Sequence, residues 1–102
     1  MGKNRPPYSD YVMFCMKLYS RNLTPPQFRN VIAKNNWYAC SRAIESYSDR
    51  DKDILVYVYG AFDTLSDNVY AMANKYHIHQ DVIWGMMKEF ERKVAVERGL
   101  CI

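Results

Sequence analysis

The sequence predicts an all-α bundle of four to five helices. Three observations carry this: apolar residues recur at intervals of three and four along most of the chain, no segment alternates like a half-buried strand, and helix caps and breakers recur between the periodic stretches. A chain of 102 residues suits one domain around one core. With 49% hydrophobic and 25% charged residues, it belongs with globular rather than disordered chains. The expected organisation is a flexible basic lead over 1–7, "MGKNRPP", followed by a single helical domain over 8–102.

The first helix starts near Tyr8. Tyr8, Tyr11, Val12, Cys15, Leu18 and Tyr19 return at helical spacing and mark its buried stripe, with Ser9 or Asp10 as N-cap. Met13 and Phe14 fall off that stripe, so the helix is either enclosed on two sides or offers a contact surface. "NLTPPQF" breaks it between Asn22 and Pro26; Thr24 is placed to cap a new turn and Pro25 to occupy its first position. Beyond the break, Phe28, Val31 and Ile32 begin one apolar face and Trp37, Cys40, Ala43, Ile44 and Tyr47 another. Asn35 and Asn36 stand between the two faces, leaving open whether 25–47 is one helix or two.

"SDRDKDILVYVYG" is the best-marked unit. Ser48 is the cap, Asp49 and Asp51 are first-turn acids, Ile54, Leu55, Val58 and Tyr59 form the stripe, and Gly60 suits a left-handed end. "AFDTLSD" reads as a loop ending in a cap at Ser66 or Asp67. Val69, Met72, Ala73 and Tyr76 then mark a further helix, Ile78 lies in a turn, and the last helix runs from about Gln80 to Arg98, closed by Gly99.

The segments "SDRDKDILVYVY", "DNVYAMANKYHI" and "HQDVIWGMMKEFERKV" follow one another as a leading helix, a helix with its turn, and a longer helix. From Ser48 to Arg98, about half the chain, this resembles the DNA-binding region four of bacterial sigma factors and related helix-turn-helix regulators. The resemblance implies a C-terminal helix-turn-helix over 48–98 and double-stranded DNA as partner. The outward face of the last helix would then read bases in the major groove.

At about 100° per residue, Val82, Ile83, Met86, Met87, Phe90 and Val94 fall within an arc of roughly 140° and should be buried. Gln80, Asp81, Trp84, Gly85, Lys88 and Arg92 then project outward. Gln80 suits adenine, Lys88 guanine or phosphate, and Arg92 phosphate, which makes these three the candidate DNA contacts. Asp81 repels phosphate, Trp84 presents a large ring where readers carry Arg, Asn or Ser, and Gly85 costs about 1 kcal/mol of helix propensity relative to Ala. The outward strip thus departs from the family pattern. Trp84 either closes the core against the first helix or anchors a partner. The alternative function is therefore a protein-interaction module, pairing with itself or with a transcription protein through Trp84 and the Tyr- or Met-rich surfaces.

Charge is uneven: residues 1–50 hold eight Lys/Arg against three Asp/Glu, and residues 51–102 hold six against eight. Phosphate-gripping domains concentrate cations on the element that docks, and here the excess lies in the other half. Arg5, Lys17, Arg21, Arg29, Lys34 and Arg42, with Tyr8, Tyr19 and Trp37, allow a nucleic-acid track, but their spacing fits a solvated face better. "KEFERKVAVER" reads as a mostly salt-bridged outer face in which Lys88 reaches Arg92 and Glu91, and Glu89 reaches Lys93.

His77 and His79 lack further ligands nearby in sequence, so no metal is expected; His79 reads as a weak cap. No glycine-rich phosphate loop or nucleophile-and-base motif occurs, so neither catalysis nor a cofactor is expected. No stretch approaches the ~20 apolar residues of a membrane span, and the start lacks a signal peptide's apolar segment. Cys15, Cys40 and Cys101 are odd in number and far apart, as reduced thiols in a cytoplasm would be, with Cys15 and Cys40 as small core residues. With nine Tyr, four Phe and two Trp, some aromatic side chains are expected at an interface.

Overall fold

The computed structural model describes residues 7–100 and contains, among them, five helices and no strand. They are α1 (Ser9–Arg21), α2 (Val31–Ile44), α3 (Asp49–Gly60), α4 (Leu65–Tyr76) and α5 (Gln80–Glu97). The lead before Pro7, including Arg5, and Cys101 lie outside the described residues.

Four of the starts have a side-chain cause. Asn30, Ser48, Thr64 and His79 accept hydrogen bonds from the backbone N–H of Ala33, Asp51, Asp67 and Asp81, opening α2, α3, α4 and α5. Ser48 and His79 are the expected caps, whereas Thr64 replaces Ser66 and Asp67. Thr24 and Pro25 open nothing: Pro26 disfavours the helical conformation at Pro25, so the backbone stays irregular until Asn30. Neither Ser9 nor Asp10 caps α1. Tyr8 stands at its N-cap without a side-chain bond, and the Ser9 hydroxyl is used elsewhere.

One continuous α2 runs through Asn35 and Asn36. The Asn36 side chain does not compete for its own backbone because it bonds the Tyr11 hydroxyl and accepts from Arg98 Nε at 2.6 Å. Between α4 and α5 only His77, Ile78 and His79 intervene. His77 takes the left-handed conformation at φ 55°, and its N–H and that of Ile78 both reach Ala73 O, satisfying a carbonyl at the helix end. Gly99 closes α5 with φ 73° as expected.

Gly60 does not take the left-handed end expected of it. It is the last residue of α3, followed by extended Ala61, and its missing Cβ serves a close crossing: a Cβ there would lie 2.9 Å from Ser20 Cβ on α1. Glycine is thus required by α1 rather than by the turn.

The core lies where α1 packs on α2, α3 and α5, with α5 also against α2 and α4 and α3 against α4. Glu91, expected on the salt-bridged outer face, is buried there instead. Its carboxyl oxygens accept from Ser9 Oγ and Tyr59 Oη, each at 2.7 Å, so one side chain of α5 ties α1 to α3. Lys93 is likewise not paired with Glu89; it lies over the Tyr47 ring and bonds Ser46 Oγ. Asp53 joins α3 to α4 through Lys75 and Tyr76, whose hydrogen bonds hold its carboxyl below the ordinary range. Cys15 and Cys40 are buried core residues as expected. Burial pushes both thiols up, Cys40 to about 12, leaving them protonated and inert.

Two backbone substitutions should move stability in opposite directions. Gly60→Ala, which in an open helix would stabilise, should lower the urea unfolding free energy by about 1–2 kcal/mol through overpacking against Ser20. His77→Gly should raise it by up to about 1 kcal/mol by relieving the left-handed residue.

Candidate functional site

Two surfaces offer chemistry, and the first is the outward strip of α5. Gln80, Lys88 and Arg92 are exposed, and none has a hydrogen-bond or ion-pair partner among the described residues. Asp81, Trp84 and Gly85 are exposed beside them, and a Cβ on Gly85 would meet nothing within 4 Å. Trp84 is 37% exposed and is not one of the buried core residues. Val82, expected in the buried stripe, is 48% exposed; Glu91 and Ala95 complete the inward face, which is turned further toward the C-terminal half of the helix than the projection placed it.

The electrostatics of this strip are mixed. Lys75 is committed to Asp53 at 2.8 Å and Lys93 to Tyr47 and Ser46, leaving Lys88 and Arg92 as free cations on α4 and α5. Exposed Asp63, Asp67 and Asp81 lie on the same unit. Nothing converges there to grip a phosphate.

The second surface is a groove between α1 and α2, and sequence reading did not find it as such. The inward face of α1 is Ser9, Val12, Cys15, Met16 and Tyr19. Tyr11 and Leu18, expected in the buried stripe, instead join Phe14 on the outside, making a second apolar row at spacings of three and four. At about 100° per residue the two rows together cover an arc of about 220°, about twice what a helix needs to face a core. Val31 and Ile32, expected with Phe28 to begin one apolar face, are also exposed, and Ile32 lines the groove across from this row. Phe14 is 55%, Leu18 49% and Ile32 60% exposed.

The groove has a volume of about 670 Å³ and is closed at one side by the segment from Pro26 to Asn30. Its floor is aromatic and ordered. Trp37 is buried, its ring centroid 5.2 Å from that of Tyr19 and 6.2 Å from that of Phe28, and its Nε1 donates to Asn22 O at 2.7 Å, holding the end of α1 to α2. Tyr11 and Asn36 also line the groove, and their mutual hydrogen bonds, with Arg98 donating to Asn36, supply a polar element in an otherwise apolar wall. Such a cleft, with apolar walls and few polar groups, is the usual form of a binding site.

Among the described residues no group of three or more His, Cys, Asp or Glu side chains can hold a metal, and no helix is long and apolar enough to cross a membrane. No family model, curated protein or solved structure matches the chain.

The two tryptophans should separate in thermal or urea unfolding. Trp37→Ala should cost about 3–5 kcal/mol, since it empties the groove floor and frees Asn22 O, whereas Trp84→Ala should cost about 1 kcal/mol or less.

Proposed function

We propose that this chain is a protein-interaction module, whose α1–α2 groove receives an apolar segment of a partner, and that α4 and α5 form a helix-turn-helix which serves as its scaffold. The observation that carries the reading is the second apolar row of α1: Tyr11, Phe14 and Leu18 line, with Ile32, a cleft of about 670 Å³, and Phe14, Leu18 and Ile32 are each about half or more exposed there. Exposed apolar patches of this kind, backed by a rigid aromatic floor, mark interaction sites. No catalytic step or cofactor enters the proposal. Two buried, protonated thiols fit a reducing compartment, and we assign the protein to the cytoplasm on that ground.

A second reading keeps double-stranded DNA as the partner. It is favoured by Gln80, Lys88 and Arg92 pointing outward from one helix with no internal partners, and by the three residues that separate α4 from α5. The acids beside them weigh against it, because DNA binding rests on net cationic charge at the docking element.

Selection from a random-peptide display library, run on the unsubstituted protein and on the Phe14→Ser, Ile32→Ser double variant, separates these readings. Binding peptides should be enriched on the first and lost on the second, whose exposed substitutions leave the fold intact by circular dichroism. In parallel, a labelled mixed-sequence duplex should not bind at physiological salt. Salt-sensitive duplex binding removed by Lys88→Ala with Arg92→Ala, together with no peptide enrichment, would favour the DNA reading instead.

A further inference from the structure

The charge around the groove says what kind of segment fits it. Residues 11–43, which include every residue lining the groove and the linker between its walls, contain Lys17, Arg21, Arg29, Lys34 and Arg42 and not one Asp or Glu, the acids Asp10 and Glu45 lying just outside. Most of these cations have no acid to satisfy them. Arg42 pairs with Glu97 at 2.7 Å, and Arg21 is used by Gly60 O and the Phe62 ring, whereas Lys17, Arg29 and Lys34 are exposed with no carboxylate partner among the described residues. Arg29 lines the groove itself. We infer that the groove's occupant is an acidic amphipathic helix of another protein, with apolar side chains seated between Phe14, Leu18 and Ile32 and carboxylates directed to Arg29, which lines the groove, and to Lys34, which follows the lining residue Ala33. The inference rests on the interaction reading given above and specifies its partner.

Three physical considerations lead to this occupant. A helix presenting anchors at i, i+3, i+4 and i+7 matches a cleft whose own walls are helices, and its backbone is already satisfied, so the apolar groove need not supply many hydrogen bonds. A second copy of this chain docking through the same face would set two acid-free groove linings, each with its Arg29, against each other, and like-charge juxtaposition opposes that pairing. A nucleic acid would find few cations at the walls: Arg29 alone among the lining residues is basic, too few to grip a phosphate backbone, and the exposed rings of Phe14 and Tyr11 alternate with the aliphatic Leu18 and Ile32. Carboxylates on the docked segment gain from cations that have no competing acid. They also speed the encounter and make it salt-dependent.

Two display libraries of helical peptides of about 15 residues test this directly. Both carry the same randomised apolar face; one has Glu and the other Lys on the polar face. The protein should enrich the Glu library about tenfold or more over the Lys library at low salt, with the preference shrinking as salt rises. Arg29→Glu with Lys34→Glu should reverse that preference, and Phe14→Ser with Ile32→Ser should abolish binding of both libraries. Equal enrichment of the two, still lost on the Phe14 and Ile32 substitutions, overturns the acidic partner while leaving the groove as the docking site. Enrichment indifferent to Phe14 and Ile32, or none at all, overturns both. A single-stranded oligonucleotide that displaces bound peptide and itself requires Phe14 would also overturn the inference.

Discussion

Helix α1 is fixed at both ends by contacts that are not apolar, and the rest of the molecule follows from that constraint. At its start, Ser9 donates to the buried carboxyl of Glu91, which also holds Tyr59. At its end, Ser20 sits against Gly60, where no side chain larger than hydrogen fits without a shift. The buried carboxyl would be costly unpaired, and the glycine crossing tolerates no extra atom, so each restricts how α1 can rotate. Periodicity alone cannot choose among the faces of a helix that is apolar over so wide an arc. These two contacts do, and by turning Val12, Met16 and Tyr19 inward they leave Tyr11, Phe14 and Leu18 outside.

That outcome divides the molecule. The basic half carries the exposed apolar row and the groove, whose lining holds no acid, and Lys17, Arg29 and Lys34 there have no carboxylate partner among the described residues. The other half places Lys75 with Asp53 and Lys93 with Tyr47 and Ser46, leaves Lys88 and Arg92 free, and exposes acids at the starts of α4 and α5. Field and shape agree at the groove and disagree along α5. The proposed docking of a partner at the groove rests on that agreement.

Much of the architecture was legible in the chain because its signals are local. The helical class, the break after Asn22, the caps Ser48 and His79 and the end at Gly99 each depend on a few neighbouring residues. The exposure of Gln80, Lys88 and Arg92 was legible for the same reason, as was the off-stripe position of Phe14. What depended on distant partners was not. Gly60 looks like a helix terminator until Ser20 is known to cross it; Glu91 looks like one more charge in "KEFERKV" until Ser9 and Tyr59 are brought to it; Val82 looks as inward as Ile83 until the neighbours of α5 set its rotation. The groove had two readable traces, the excess width of the apolar arc on the first helix and the absence of acids from 11–43, but neither shows which row faces in.

The chain contains two tryptophans, one in the floor of the groove and one on the outward strip of α5, and this allows one decisive measurement. Fluorine NMR of protein labelled with fluorotryptophan, with Trp84→Phe assigning the signals, reports both surfaces in one titration with the Glu-faced helical peptides. The account predicts that the Trp37 resonance shifts and saturates while that of Trp84 stays still. Movement of Trp84 with Trp37 unchanged would contradict it.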